Sequence, residues 1–308
     1  MRIAIFGCGA MGSIYAGLLA SAGHEVIGID RNKAHVDAIN ASGLRVLGAS
    51  GDRCVAIQAY TDPPDVEVDL LVIAVKAAHV GEASAASVLV KSTGSILTIQ
   101  NGLGSADIVA DIFGSERLVV GVAQGFGASL QAPGISHHND MKAIRMGGYA
   151  QGNSERLDSV VNTFQASGFD TQAVDNIEVV QWEKLICNAA YSGPCALTGL
   201  TVGEVLDDPI VGPVSRAAAT EAWEVARKRG IPIAVDDPVA YVQDFAERMR
   251  AAKPSVLLDI EAGRRSEIDV INGAVEREAV RVHSVAPVNA TITALVRSLE
   301  ERLMTEGN

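Results

Sequence analysis

The chain is 308 residues long, 48% hydrophobic and 20% charged, with a net charge of −12. That length suits two domains, each able to bury a core of its own. The acidic balance excludes a general affinity for nucleic acid or for an anionic membrane surface, though not a local basic pocket for a phosphate.

In chain order, "RIAIF" predicts a buried strand that stops at glycine. No signal peptide fits, because its cleavage region would fall inside the glycine cluster. No stretch is long and apolar enough to span a bilayer, so a cytoplasmic protein without a membrane partner is expected. "SIYAGLLASAG" reads as a helix closed by Gly23, "HEVIGID" as a second strand, and "KAHVDAINASG" as a helix ending at Gly43. "DLLVIAVK", "GSILTIQNG" and "LVVGVA" are further apolar strands. Buried strands alternating with helices imply parallel β-α-β units. "GISHHND" and "KAIRMGG" read as an antiparallel pair at a sheet edge. His137 and His138 are adjacent there, so they point to opposite faces and do not form a metal pair. Cys8, Cys54, Cys187 and Cys195 show no metal spacing and read as reduced thiols; no metal is expected.

From about Val180 the pattern changes. "VVQWEKLICNAAYSG", "GPVSRAAATEAWEVARKRG", "DDPVAYVQDFAERMRAA", "SVLLDIEAG" and "NATITALVRSLEERLM" carry helical periodicity. The expected organisation is an α/β half followed by a helical half, with the boundary near Asp175.

Gly7-Cys8-Gly9-Ala10-Met11-Gly12 matches G-x-G-x-x-G. Alone the pattern is weak. Here it follows an apolar strand, opens a helix, and precedes a second strand that ends in an acid, which is the setting of a dinucleotide site. Gly7 makes the turn, Gly9 admits a pyrophosphate, and Gly12 lets helix and strand pack. The amides of the helix start, including Ala10 and Met11, face the anion. Asp30 can accept the ribose hydroxyls of NAD, whereas Arg31 can fork onto the 2′-phosphate of NADP.

Lys76 and Asn101 fall near the carboxyl ends of two strands, where this fold delivers side chains to its ligand. A lysine there suits a phosphate, and an asparagine suits a carboxamide or ribose; a rim charge and a plain Asn-Gly turn are the bland readings. In "WEKLICNAAYSGPC", Lys184, Asn188 and Ser192 recur every four residues on one helix face. Such a lysine is a candidate for a shifted pKa, against the ordinary fate of a surface cation. "KPSVLLDIEAGRRSEIDVINGAV" holds Ser255 and Glu267, and periodicity alone makes it a solvated, charge-rich helix.

In this order, "GCGAMG", "VKA", "QNG", "WEKLICNA" and "SEIDVINGAV" resemble the ketopantoate reductases (2-dehydropantoate 2-reductases) over nearly the whole chain. The resemblance implies an α/β Rossmann-type N-terminal dinucleotide-binding domain over residues 1–175 and an all-helical C-terminal substrate-binding domain over 176–308, with the active site in the cleft between them. It also implies NADPH-dependent reduction of a 2-oxo acid, 2-dehydropantoate, to pantoate on the way to pantothenate and coenzyme A. It implies Lys184 as general acid, Glu267 as holder of a catalytic or substrate hydroxyl, and Ser255 and Asn188 as substrate ligands. It further implies Lys76 and Asn101 for cofactor and site organisation, and Arg31 for the 2′-phosphate. Ser192 stands where the family often has a second Asn on the substrate wall, and Val202 lies near where some members carry a further Asn. NADP is the expected cofactor, with NAD admitted by Asp30; a homodimer is compatible with such a chain. Two alternatives remain open: an NAD(P)-dependent dehydrogenase of the same fold acting on another 2-oxo acid, and a non-catalytic dinucleotide sensor.

Overall fold

Strand β1 (Arg2–Phe6) buries four successive residues, as a strand covered on both faces must. It sits inside an eight-stranded sheet with β2 (Glu25–Ile29), β5 (Gln58–Tyr60), β6 (Val68–Ile73), β7 (Val90–Thr98), β8 (Leu118–Gln124), β11 (Ala143–Gly148) and β12 (Thr171–Ala173). The order is β12-β11-β8-β7-β6-β1-β2-β5, and every neighbouring pair is parallel except β8 with β11. Strand order reverses beside β1: the chain builds outward through β2 on one side and β6 on the other. Loops leaving the carboxyl ends of β1 and β6 therefore meet at the switch point, where this architecture binds ligands.

The computed structural model describes residues 1–125, 127–140, 143–150 and 155–306. It divides into two compact units, Met1–Gln100 with Ser105–Ile177, and Asn101–Gly104 with the chain from Glu178 on. Among the described residues, no strand follows β12, and no helix is long and apolar enough to cross a membrane.

The first unit holds a second sheet that hydropathy did not reveal. It has the order β4-β3-β10-β9, built from β3 (Leu44–Gly48), β4 (Arg53–Val55), β9 (Gly127–Ala132) and β10 (Ile135–Asp140). This corrects the expected pairing of "GISHHND" with "KAIRMGG". The first, β10, pairs antiparallel with β9 and parallel with β3, whereas the second, β11, joins the large sheet. Nor is β10 an edge strand. Its alternation buries His138 and leaves His137 partly exposed. Helix α1 (Ala10–Ser21) packs against strands of both sheets, which explains its run of buried residues from Gly12 to Leu19. The helices of this unit are completed by α2 (Lys33–Ser42), a run of 3-10 turns (Ala77–Leu89), α3 (Ser105–Phe113) and α4 (Glu155–Ala166).

The second unit is built around α5 (Ile177–Thr198), whose Trp182, Leu185, Ile186 and Ala189 are fully or almost fully buried. Around it lie α6 (Val202–Asp207), α7 (Val211–Lys228), α8 (Pro238–Arg248), α9 (Ser255–Glu261), α10 (Asn272–Arg281) and α11 (Pro287–Glu306). The charge-rich segment is not one helix: α9 stops before Gly263, whose φ of 64° favours glycine, and a 3-10 turn (Ile268–Val270) precedes α10. Buried Asn272 ties α10 inward, donating to the Ala189 carbonyl and to Asn289 Oδ1, each at 2.9 Å.

Candidate active site

The dinucleotide loop is made of backbone. Gly7 has φ of 92°, and a side chain there would press within 2.6 Å of Val75. A methyl at Gly12 would overlap the Gly7 carbonyl, so close packing of α1 on β1 demands glycine. Gly9 differs: among the described residues a Cβ would meet only Asp30 Oδ2, at 3.6 Å. None of these residues requires glycine at position 9, whereas an anion drawn up to the backbone would. The amides of Ala10, Met11 and Gly12 open α1 without intrahelical acceptors, and its first turn holds no acid to compete with an anion. This cradle fits a dinucleotide pyrophosphate.

Around it, Asp30 directly follows β2, partly buried, and accepts the Asn32 amide at 2.9 Å. Arg31 is exposed, and its guanidinium donates to His79 Nε2 at 3.2 Å. His79 Nδ1 lies 2.8 Å from a Glu82 carboxylate oxygen. Strands β6 and β7 stop before Lys76 and Asn101, so both residues sit on loops rather than on strand ends. Lys76 is exposed at the start of the 3-10 run. Gln100 donates to the carbonyls of Ile73 and Val75 at 2.7 and 3.1 Å, tying the loop after β6 to the end of β7. Sequence reasoning passed over His79 and Gln100; the only signals were a histidine three positions after Lys76 and an amide before Asn-Gly.

The second cluster is made of side chains. Lys184, in the second turn of α5, donates from Nζ to Asn101 Oδ1 at 2.7 Å. Asn101 Nδ2 in turn faces Glu267 Oε2 at 3.4 Å. The three come from segments far apart in sequence. Asn101 is delivered by its neighbour: Gly102 has φ of 76°, a Cβ there would overlap the Val270 carbonyl, and Leu103 N–H donates to that carbonyl at 3.0 Å. Asn-Gly is thus a turn and a site segment at once. Glu267 heads the 3-10 turn that receives this loop.

Loss of hydration lowers the Lys184 pKa to about 8, against the upward pull of the Glu267 carboxylate. The ammonium can therefore give up its proton near neutrality while a carboxylate holds it charged at rest. Asn188 follows one turn along α5, partly exposed, and Ser192 one turn further, buried. Ser255 is exposed at the first position of α9, and among the described residues no hydrogen bond joins it to Lys184, Asn101 or Glu267. Cys187 and Cys195 are pushed up to about 12 by burial, so neither offers a thiolate.

Comparison with known proteins places this geometry. Residues 3–151 match the ketopantoate reductase PanE/ApbA family, and residues 176–300 match the ketopantoate reductase PanE/ApbA C-terminal family. A 2-dehydropantoate 2-reductase of Pyrococcus horikoshii is 31% identical over 97% of this chain and 98% of its own length. One from Halobacterium salinarum is 30% identical over 96% and 98%. Among solved structures, a PanE/ApbA family ketopantoate reductase from Ralstonia eutropha superposes with a TM-score of 0.90 at 31% identity, covering 98% of this chain and 99% of that one. A D-mandelate dehydrogenase bound to NADH and anilino(oxo)acetate also superposes at 0.90, with 25% identity and the same coverage.

Proposed function

The chain belongs to the ketopantoate reductase family, and from that premise we propose that it reduces 2-dehydropantoate to pantoate with NADPH. The observation that carries the reading is the Lys184–Asn101–Glu267 cluster, with its lysine brought to a pKa of about 8. The nicotinamide, when bound, supplies the hydride. Lys184 stabilises the charge that grows on the ketone oxygen and donates the proton that completes the alcohol. Its cation meets a charge that scarcely exists in the ground state, so the interaction favours the transition state over the substrate. Asn101 holds Nζ in place, and Glu267 keeps it protonated and accepts from a substrate hydroxyl. Asn188, Ser192 and Ser255 offer donors to the substrate carboxylate and hydroxyl.

Gly7, Gly9, Ala10, Met11 and Gly12 would hold the pyrophosphate, with Lys76 at the rim. Arg31 is exposed and rests on His79, and among the described residues no carboxylate contact to it would have to be broken before it met a 2′-phosphate. Asp30 beside it opposes that phosphate and leaves NADH as the weaker cofactor.

A second reading has an observation of its own. Ser192, one turn beyond Asn188 on α5, is a short hydroxyl where a longer side chain would fill more of that face, and a bulkier 2-oxo acid is the substrate this reading takes. A D-mandelate dehydrogenase of the same fold shows that related chains bind an aryl-substituted oxo acid. Steady-state assays with NADPH and NADH against 2-dehydropantoate and a panel of aliphatic and aryl 2-oxo acids test both readings. The highest kcat/KM on 2-dehydropantoate supports the first, and an aryl acid in that place replaces it with the second.

A further inference from the structure

Beneath the glycine loop lies a histidine that no motif singles out. His35, on the first turn of α2, is fully buried. The N–H of Gly134, at the turn between β9 and β10, donates to His35 Nδ1 at 2.9 Å. Nδ1 therefore carries no proton, and the ring is neutral with its hydrogen on Nε2. Burial pushes the His35 pKa below its ordinary value, against smaller upward pulls from Asp30 and the Cys8 backbone, in keeping with that tautomer.

Nε2–H lies 2.9 Å from the Cys8 carbonyl oxygen and donates to it. The Ser13 hydroxyl, also fully buried, donates to the same oxygen at 3.0 Å. That carbonyl belongs to the peptide between Cys8 and Gly9. In a planar trans peptide the C=O and N–H point in opposite directions. With the carbonyl held inward by two donors, Gly9 N–H points away from His35 and Ser13. Glycine on one side of this peptide makes its rotation cheap, so the orientation needs an external hold.

We propose that His35, together with Ser13, is a positioning residue for dinucleotide binding: it locks the Cys8–Gly9 peptide so that the Gly9 amide is presented to the pyrophosphate. The inference rests on the dinucleotide reading of the glycine loop. It also gives the small sheet a part in cofactor binding, because the β9–β10 turn sets the tautomer that makes the clamp.

The test is equilibrium binding of NADPH and NADH to the purified full chain, with Tm measured on the same samples, for wild type, His35→Asn, His35→Gln and Ser13→Ala. Asparagine can accept from Gly134 but is too short to reach the Cys8 carbonyl; glutamine places an amide near the Nε2 position. Losing one such hydrogen bond should weaken both cofactors about 5–10-fold in His35→Asn and in Ser13→Ala. His35→Gln should recover most of the affinity whatever its Tm. Unchanged affinity in Ser13→Ala, or in a folded His35→Asn, overturns the clamp. So does a loss that follows Tm alone without rescue by glutamine. If His35→Asn does not fold, Ser13→Ala and His35→Gln decide the matter. Wild type that binds neither cofactor refutes the dinucleotide reading, and the clamp falls with it.

Discussion

The glycine loop and the lysine cluster solve different problems with different materials. The loop, Gly7 to Gly12, is proposed to recognise a group shared by all dinucleotides, with main-chain amides whose placement depends on steric fit. Two of its glycines are answerable to a neighbour, Gly7 to Val75 and Gly12 to the Gly7 carbonyl. The lysine cluster tunes a proton, and only side chains can do that. Lys184, Asn101 and Glu267 are brought together by tertiary structure, and the lysine's pKa is the sum of opposing effects, burial and a nearby carboxylate. A backbone site fails when a methyl is added at its close approaches or when the groups that aim its peptides are lost. A side-chain site fails when its own functional groups are removed.

The sharpest way to separate the two regions is to remove the proton donor. Lys184→Ala should lower kcat by ~10²–10⁴-fold with little change in NADPH affinity. Lys184→Arg should recover little, because a guanidinium keeps its proton. Measurement of kcat and cofactor Kd on one folded variant decides; near-wild-type kcat would make Lys184 a mere surface charge.

Two glycines test the backbone side. Gly12→Ala should cost stability by about 1–3 kcal/mol or more, since neither the Gly7 carbonyl nor the strand behind it can yield. Gly9→Ala should leave Tm nearly unchanged, because a Cβ has room, yet weaken NADPH binding. Denaturant melts paired with cofactor titration read both, and a large fall in the stability of Gly9→Ala would assign that glycine to folding rather than to ligand. Arg31→Ala should weaken NADPH by ~1.5–3 kcal/mol and NADH hardly at all; wild type that already prefers NADH would give the cofactor choice to Asp30.

A smaller effect is expected at the joint of the lysine cluster. Asn101→Ala removes the hydrogen bond that holds Nζ, worth ~1 kcal/mol, and should cost roughly fivefold in kcat. Gly102→Ala should do at least as much damage, through the Val270 carbonyl rather than through chemistry.

The loop was legible in the sequence because its determinants are local: a strand, three glycines and a helix within twenty residues. The large parallel sheet was legible for the same reason, since its central strands are short apolar runs. The small sheet was not. "RCV" is too short to show alternation, "GASLQA" alternates only through two alanines and one leucine, and one of the two partners of β10 is β3, about ninety residues earlier. That is why β10 was expected beside β11. The lysine face of α5 could be read from its four-residue spacing. Its meeting with Asn101 and Glu267 could not be derived from spacing, because contacts across such separations leave no periodic trace; there the family resemblance supplied what the residues alone did not. His35 illustrates the limit: a buried polar residue in an amphipathic helix looks like any other until its partners are known.

The central claim is that Lys184 donates the proton, and its pH dependence tests this most directly. Below about pH 8 Lys184 is protonated and can act as the acid; above it the amine is neutral and cannot. The kcat/KM for reduction should therefore be level up to about pH 8 and then fall roughly tenfold per pH unit, while that for alcohol oxidation, which needs the neutral amine as base, should rise up to about pH 8 and then level off. Glu267→Gln removes the carboxylate that favours the ammonium, so the falling limb should move to lower pH. A reduction profile flat through pH 10, or a limb that Glu267→Gln leaves in place, would contradict the account.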